Sequence, residues 1–232
     1  MTCYAFSNAA MKVLVDRNIE INAITHKTML ASRAIKWGPR YHTVDIAQRV
    51  HFPPRDDEAF RREHLPFLAA LCGSAKHGNP ELFSSHEIRM ERLRQKGRSE
   101  GYLGINLLRN VAIRNIPSPV QRSIAIAAGL TVGTTEDEQM EFFRSITHPR
   151  FLHIRRHTGD AHIDDAYHLW TAEEAKLDAF LTMDKRFYGV VKQKSDLIGS
   201  PVLVAIPKEL CRHLGLQPLD IRELAAETNP FA

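Results

Sequence analysis

The sequence predicts an α/β fold with a central parallel sheet. Three observations carry that reading: short apolar runs of strand-forming residues, helical spacing between such runs in the last third of the chain, and acids standing just after two of the runs. Strands that alternate with helices imply a parallel sheet covered on both faces. A chain of 232 residues can bury a sizeable core, and it reads as one domain, 1–232, with insertions at 22–56 and 97–135.

Residues 11–15, MKVLV, form the first buried strand, ending on Asp16 with Asn18 close behind. The stretch 22–51 is irregular, mixing Thr28, Trp37, a Gly38-Pro39 turn and short apolar pieces such as 43–46, and it reads as an insertion with weak strands. Pro53-Pro54 breaks the chain, and Asp56 or Asp57 can cap a helix over about 58–75 with Phe60, Leu65, Leu68 and Leu71 as its apolar positions. Pro66 inside it predicts a kink or two shorter pieces. Leu82-Phe83 reads as a second strand, followed by Ser84-Ser85 as the cap of a helix holding Ile88, Glu91 and Leu93.

Glycines 97, 101 and 104 with Pro117 and Pro119 argue against long regular elements at the start of 97–135, while 120–130 suits an apolar helix. A helix over 136–146 has an acidic first turn, which suits the helix dipole. Phe151 to Ile154, after His148-Pro149, reads as a strand. Asp164 or Asp165 then opens a helix with Leu169, Ala172 and Ala175 at helical spacing, before a strand over 179–182, a helix through 188–192 and the apolar run PVLVAI at 201–206.

Composition narrows the class of function. The formal charge is +4, with 31 Lys and Arg against 27 Asp and Glu, which permits a polyanionic partner without requiring one. Basic residues crowd 89–98 and 150–156, so positive potential can concentrate on one face. Cys3, Cys72 and Cys211 are odd in number and lack CxxC spacing, which fits a reducing cytoplasm rather than a disulfide framework or a cysteine zinc site. The opening residues carry no signal-peptide pattern and no window is long and apolar enough to span a bilayer, so no membrane partner is expected.

In an open α/β sheet ligands collect outside the carboxyl ends of the strands. Asp16 and Asp184 are expected there, and Glu91 and Asp165 belong to helices that follow strands, so all four acids can converge on one edge. Converging carboxylates raise one another's pKa unless a cation neutralises them, and oxygen ligands suit Mg²⁺ or Mn²⁺. Such ions assist phosphodiester hydrolysis. A histidine metal site built from His148, His153, His157, His162 and His168 matches no helical ligand pair, and these rings are expected at the surface or facing nucleic acid. Tyr167 and Trp170 are expected to pack rather than to stack on bases.

Four segments, KVLVDRN, SSHEIRMER, DDAYHLWTAEEAKLDAFLTMDKRF and PVLVAIPKEL, resemble in order those of the PIN-domain family of metal-dependent ribonucleases. The resemblance spans roughly 11–210 and is dense only at the two ends. It implies a PIN-like three-layer α/β/α fold, a site of Asp16, Glu91, Asp165 and Asp184 that is both metal-binding and catalytic, and Mg²⁺- or Mn²⁺-dependent cleavage of single-stranded or structured RNA. Asn18 enters as the polar partner of Asp16 and Thr182 as the residue that orients Asp184; both join Lys185 and Arg186 as candidate substrate-binding residues. RNA is the implied partner, and the family also admits a homo-oligomer and a small protein inhibitor, the antitoxin of a toxin pair.

The chain departs from the family pattern at several points. Its length and its two insertions do not suit a stand-alone toxin, and Arg17 stands beside Asp16 where a small hydroxyl residue is usual. Glu87 competes with Glu91 for the second position, which the spacing from Ser85 awards to Glu91. A PIN-like module that binds RNA or protein without cutting is the alternative.

Overall fold

The computed structural model describes residues 10–51, 58–94, 105–120, 122 and 135–220. Lys12–Val15 (β1), Glu81–Ser85 (β4), Ile113–Ile116 (β6), Ala179–Leu181 (β7) and Leu203–Ala205 (β8) form a sheet in the order β6-β4-β1-β7-β8, every pair parallel. Val15 lies opposite Leu181 and Leu14 opposite both Phe83 and Phe180. After β1 the chain builds outward to β4 and β6, then returns to β7 on the other side of β1 and continues to β8. The order therefore reverses between β1 and β7, and the crevice beyond their carboxyl ends is where an open sheet accepts ligands.

Alternation along the strands gives each face its own core. Leu14, Phe180 and Val204 point into one cluster, while Val13, Val15, Ala179, Leu181 and Ala205 point into the other. The first is covered by His86–Leu93 (α3), Glu136–Ser145 (α4), Pro149–Thr158 (α5), Ile163–Glu174 (α6), Lys185–Gln193 (α7) and Ser195–Ile198 (α8). The second is covered by Arg17–Asn22 (α1), Glu58–Ala75 (α2) and Pro207–Leu214 (α9). Helices thus flank the parallel sheet on both sides. The thiols of Cys72 and Cys211 lie in the second core, where burial pushes both up to about 12.

Several elements differ from their sequence expectation. The segment expected as a strand at 151–154 is part of α5 instead. Pro149 sits at the first position of that helix, where its missing N–H costs nothing and its fixed φ is already helical. Phe151, Ile154 and Thr158 then recur at helical spacing and are buried. Pro66 divides nothing, since α2 runs unbroken from Glu58 to Ala75 with the proline inside it. Its carbonyl accepts a hydrogen bond from the Leu219 N–H at 3.1 Å.

The expected insertion at 97–135 contributes to the central sheet, because Ile113–Ile116 pairs with β4 as its edge strand. The stretch after Asn22 is an antiparallel hairpin of Ile24–Trp37 (β2) and Arg40–His51 (β3), in register from His26↔His51 to Trp37↔Arg40. The short strand Ile105–Asn106 (β5) pairs with the base of β2 to complete a second, three-stranded sheet among the described residues. The Pro53-Pro54 break, the Asp56 or Asp57 cap and nearly all of the helix expected at 120–130 lie outside the described residues. No helix among the described residues is long and apolar enough to cross a membrane.

Glu87, the other candidate for the second acid, is committed to structural partners. Its fully buried carboxylate accepts from Arg122 Nε at 3.0 Å and Nη2 at 2.7 Å, and from Gln139 Nε2 at 2.7 Å, tying α3 to α4 and to the segment before it. A carboxylate that deep needs its cation. Arg122→Ala is expected to destabilise the fold by about 3 kcal/mol or more by leaving Glu87 buried without its counter-charge, measured as a lower midpoint in urea unfolding.

Candidate functional site

Asp16 follows β1 directly. It stands at the N-cap position of α1, with extended backbone (φ −70°, ψ 155°), yet its carboxylate makes no capping hydrogen bond. The side chain instead turns to β7 and accepts the Thr182 hydroxyl at Oδ2, at 2.8 Å. A polar side chain in that position ordinarily serves the helix. Here the carboxylate is buried, 4 % exposed, and aimed at the crevice between β1 and β7.

Thr182 is the hinge point of the arrangement. Its Oγ1 donates to Asp16 and accepts from the Asp184 N–H at 3.0 Å and from Asn18 Nδ2 at 3.1 Å. Asn18 Oδ1 in turn accepts the Met183 N–H at 2.7 Å. Thr182 was expected to orient Asp184 and, with Asn18, to meet substrate. Thr182 does hold the Asp184 backbone, and its fully buried hydroxyl also orients Asp16, while the polar atoms of both residues join the end of β1 to the end of β7.

Asp184 caps α7, its Oδ1 accepting from the N–H groups of Arg186 at 2.7 Å and Phe187 at 2.9 Å. Asp165 lies in the first turn of α6, so it is not that helix's N-cap; His162 is. His162 Nδ1 lies 3.4 Å from Asp165 Oδ2, and His162, Asp165 and Asp184 each present one ligand atom within 4.8 Å of the others. Asp16 and Glu91 stand outside this tight set. They reach it through their fields.

Glu91 is buried on α3, and its Oε1 lies 2.9 Å from Nε2 of His168, which is itself buried on α6. Its Oε2 is 3.9 Å from Arg17 Nη1. The unusual neighbour of Asp16 therefore serves the outer edge of Glu91. His162 and His168 were missed as site residues by the sequence reading. The signal was a spacing of three, since residues 162, 165 and 168 fall on one face of a helical turn and the next.

The electrostatics show how strongly these groups act on one another. Burial carries the Asp16 carboxyl up to about 6, with Glu91 and Asp164 adding to the rise while His168 and the Thr182 hydroxyl oppose it. Asp165 is raised well above the carboxylate range by burial and then by the charges of Asp16, Asp164, Asp184 and Glu91. For His168, burial pulls downward, but the charge and hydrogen bond of Glu91, with Asp16 and Asp164 behind them, win and raise it to about 9. Several buried acids thus share one histidine as their internal counter-charge. Among the described residues, the acids outnumber the cations that face them.

That imbalance is the observation against which a cation can be tested. Asp16, Glu91 and Asp184 each have one oxygen held by Thr182, His168 or the α7 backbone, which fixes the carboxylate; among the described residues no hydrogen bond reaches the second oxygen, although Arg17 stands 3.9 Å from that of Glu91. Oxygen-rich donors suit hard divalent ions, and the imidazole of His162 in the tight set is better accepted by Mn²⁺ than by Mg²⁺. The residues fit a divalent ion.

The remaining candidates lie further out. Lys185 and Arg186 are exposed at the start of α7 beside Asp184, with Lys185 Nζ 5.8 Å from the centre of the Phe60 ring. His148 stacks on Trp170 at 4.7 Å between centroids, and His153 meets His157 edge-on at the same separation. Tyr167 and Trp170 are buried among Phe143 and Phe151, as packing residues should be. Compared with known proteins, the chain matches no family model, no curated protein and no solved structure.

The pH dependence follows from His168. Its folded pKa of about 9 stands above its ordinary 6.5, so its contribution to stability is complete below pH 6.5 and is lost as pH rises through 9. The stability difference between wild type and His168→Gln, measured by urea unfolding, is therefore expected to be largest at pH 6 and to shrink steadily towards pH 9.5.

Proposed function

We propose that this chain is a PIN-like, divalent-metal-dependent ribonuclease that hydrolyses phosphodiester bonds in RNA. The observation that carries the reading is the placement of Asp16 and Asp184 beyond β1 and β7, where the strand order reverses, in the field of Asp165 and Glu91. A cluster that raises its own members' pKa values, with more acids than cations among its described residues, is suited to a substrate that arrives with metal. The order of the acids along the chain, and the Thr-x-Asp-Lys-Arg-Phe run ending at Phe187, are those of the family the sequence resembles.

In this reading Asp165 and Asp184, with His162 beside them, would hold Mg²⁺ or Mn²⁺, and Asp16 and Glu91 complete the negative field around it. A divalent ion bound there supplies Lewis-acid polarisation of a phosphodiester oxygen and a lowered pKa for water. Thr182 and Asn18 hold Asp16 at a fixed distance from β7, and the cap at α7 holds Asp184 in place. Lys185 and Arg186 offer positive charge to phosphates on the same edge. Hydrolysis adds one water across one P–O bond, leaving a phosphate on one fragment and a hydroxyl on the other.

One observation favours the second reading, a module that binds RNA without cutting it. Glu91 is already engaged by His168 and approached by Arg17, so part of the site's negative charge is answered from within. Cleavage separates the two readings. Single-stranded RNA is expected to be cut with Mn²⁺ or Mg²⁺ and not with EDTA, and Asp16→Asn or Asp184→Asn to lower the rate on the order of 100-fold or more. Asn at 184 can still cap α7, so loss there reports charge rather than unfolding. No cleavage with either ion would leave the binding module.

Metal binding has a readout apart from activity. Mn²⁺ at about 100 times its Kd is expected to raise the thermal midpoint by about 5–10 °C at pH 7.5. The gain should vanish below about pH 5, because Asp16, with its pKa near 6, is then protonated, and the upward shift of Asp165 acts in the same direction. Asp165→Asn should abolish it at every pH.

A further inference from the structure

Between Ser32 and Asp45 every residue of the β2–β3 hairpin is exposed, on both faces of the ribbon. The twelve register pairs make the hairpin about 40 Å long at ~3.4 Å per residue. Its base is well held: Thr25 is buried, Arg61 Nη2 donates to the Ile24 carbonyl at 3.0 Å, and the Leu107 N–H donates to the Ala23 carbonyl at 2.9 Å. The base joins α1, the helix that begins beside Asp16. A stretch of ribbon such as 32–45, exposed on both faces, gains nothing from a core of its own, so its side chains can serve something outside the fold.

Those side chains have a definite chemistry. The Gly38-Pro39 turn, with Gly38 at φ +63° and proline following, is a two-residue loop of the II′ kind that keeps the strands paired to the tip. On one face Trp37, 78 % exposed, stands opposite Arg40, with Arg33 on the same face four register pairs behind. On the other face Tyr41, 72 % exposed, stands opposite Lys36. Each face therefore presents an aromatic ring with a cation across from it. No ion pair or cation–π contact among the described residues engages Arg33, Lys36 or Arg40, and the acid of the stretch, Asp45, already accepts the Ser32 hydroxyl at 2.6 Å.

We propose that the β2–β3 hairpin is an RNA-docking arm, in which Trp37 and Tyr41 stack on unpaired bases while Arg33, Lys36 and Arg40 hold the phosphates between them. The proposal rests on the ribonuclease reading for the identity of the polymer. Paired ring and cation chemistry is what single strands require, since every base has a π-face and every linkage a negative charge. A purely apolar partner surface would leave three cations desolvated without counter-charges.

The test is direct binding of a fluorescent single-stranded RNA of about 20 nucleotides, followed by polarisation in EDTA so that cleavage plays no part. Trp37→Ala/Tyr41→Ala is expected to weaken binding at least 10-fold, with Trp37→Phe/Tyr41→Phe restoring most of it. Arg33→Gln/Lys36→Gln/Arg40→Gln is expected to weaken binding and to flatten the slope of log affinity against log salt by about 2, given ~0.7 per phosphate contact on a single strand. An unchanged thermal midpoint shows that the variants fold. Wild-type affinity and salt slope in both Ala and Gln variants would overturn the proposal, and so would a native dimer that the Ala pair converts to monomer with RNA affinity intact. Binding through the arm without any metal-dependent cleavage would leave the docking arm standing while the nuclease reading fails.

Discussion

The candidate site depends on one contact, the hydroxyl of Thr182 between the ends of β1 and β7. Parallel pairing of these strands sets Val15 opposite Leu181, so the residue after each strand arrives at the same edge although the two are 166 positions apart in the chain. The hydroxyl then donates to Asp16 and receives the backbone of Asp184. A methyl in its place would leave the Asp16 carboxylate buried without its fixed donor, a loss that costs more than the bond itself contributes. The geometry of both acids is therefore a property of the sheet, not of either loop.

Burial and charge pull against each other throughout this edge. Asp16, Glu91 and Asp165 are as enclosed as core residues, and among the described residues they are answered by His168 and the rim cation Arg17 at Glu91 and by His162 beside Asp165. Such an arrangement lowers stability, which the two large cores on either face of the sheet can sustain. The contrast with Glu87 is instructive. That equally buried acid, one helical turn away, has a bidentate arginine and a glutamine amide, and so is satisfied in place. Two acids on one helix thus follow opposite designs: one completes a structural lock and the other faces a crevice.

The hairpin follows the same logic at the surface. Its base is tied to the body by buried backbone contacts while its outer half buries nothing. Exposed rings and cations are distributed over both faces, opposite each other in register. The molecule thus combines a rigid sheet edge rich in negative charge with an extended arm rich in positive charge.

Much of this was legible in the sequence wherever burial imposes a pattern. The runs at 11–15, 179–182 and 201–206 are apolar because both faces of a parallel strand are covered, and the acids that end two of them stand out against that background. Ser85 and the acidic turn after Thr135 marked their helices because capping is local chemistry. The hairpin showed only weak strands and its Gly38-Pro39 turn, since residues 32–45, exposed on both faces, have no apolar alternation to display. Phe151 to Ile154 misled because four residues cannot distinguish strand from helix, and the neighbouring Pro149 decided it. The chain by itself determined which acids were available and in what order. Only the tertiary structure decided that His168 would answer Glu91, that Glu87 would turn away, and that Thr182 would serve Asp16, because those choices depend on which helix face packs against which strand.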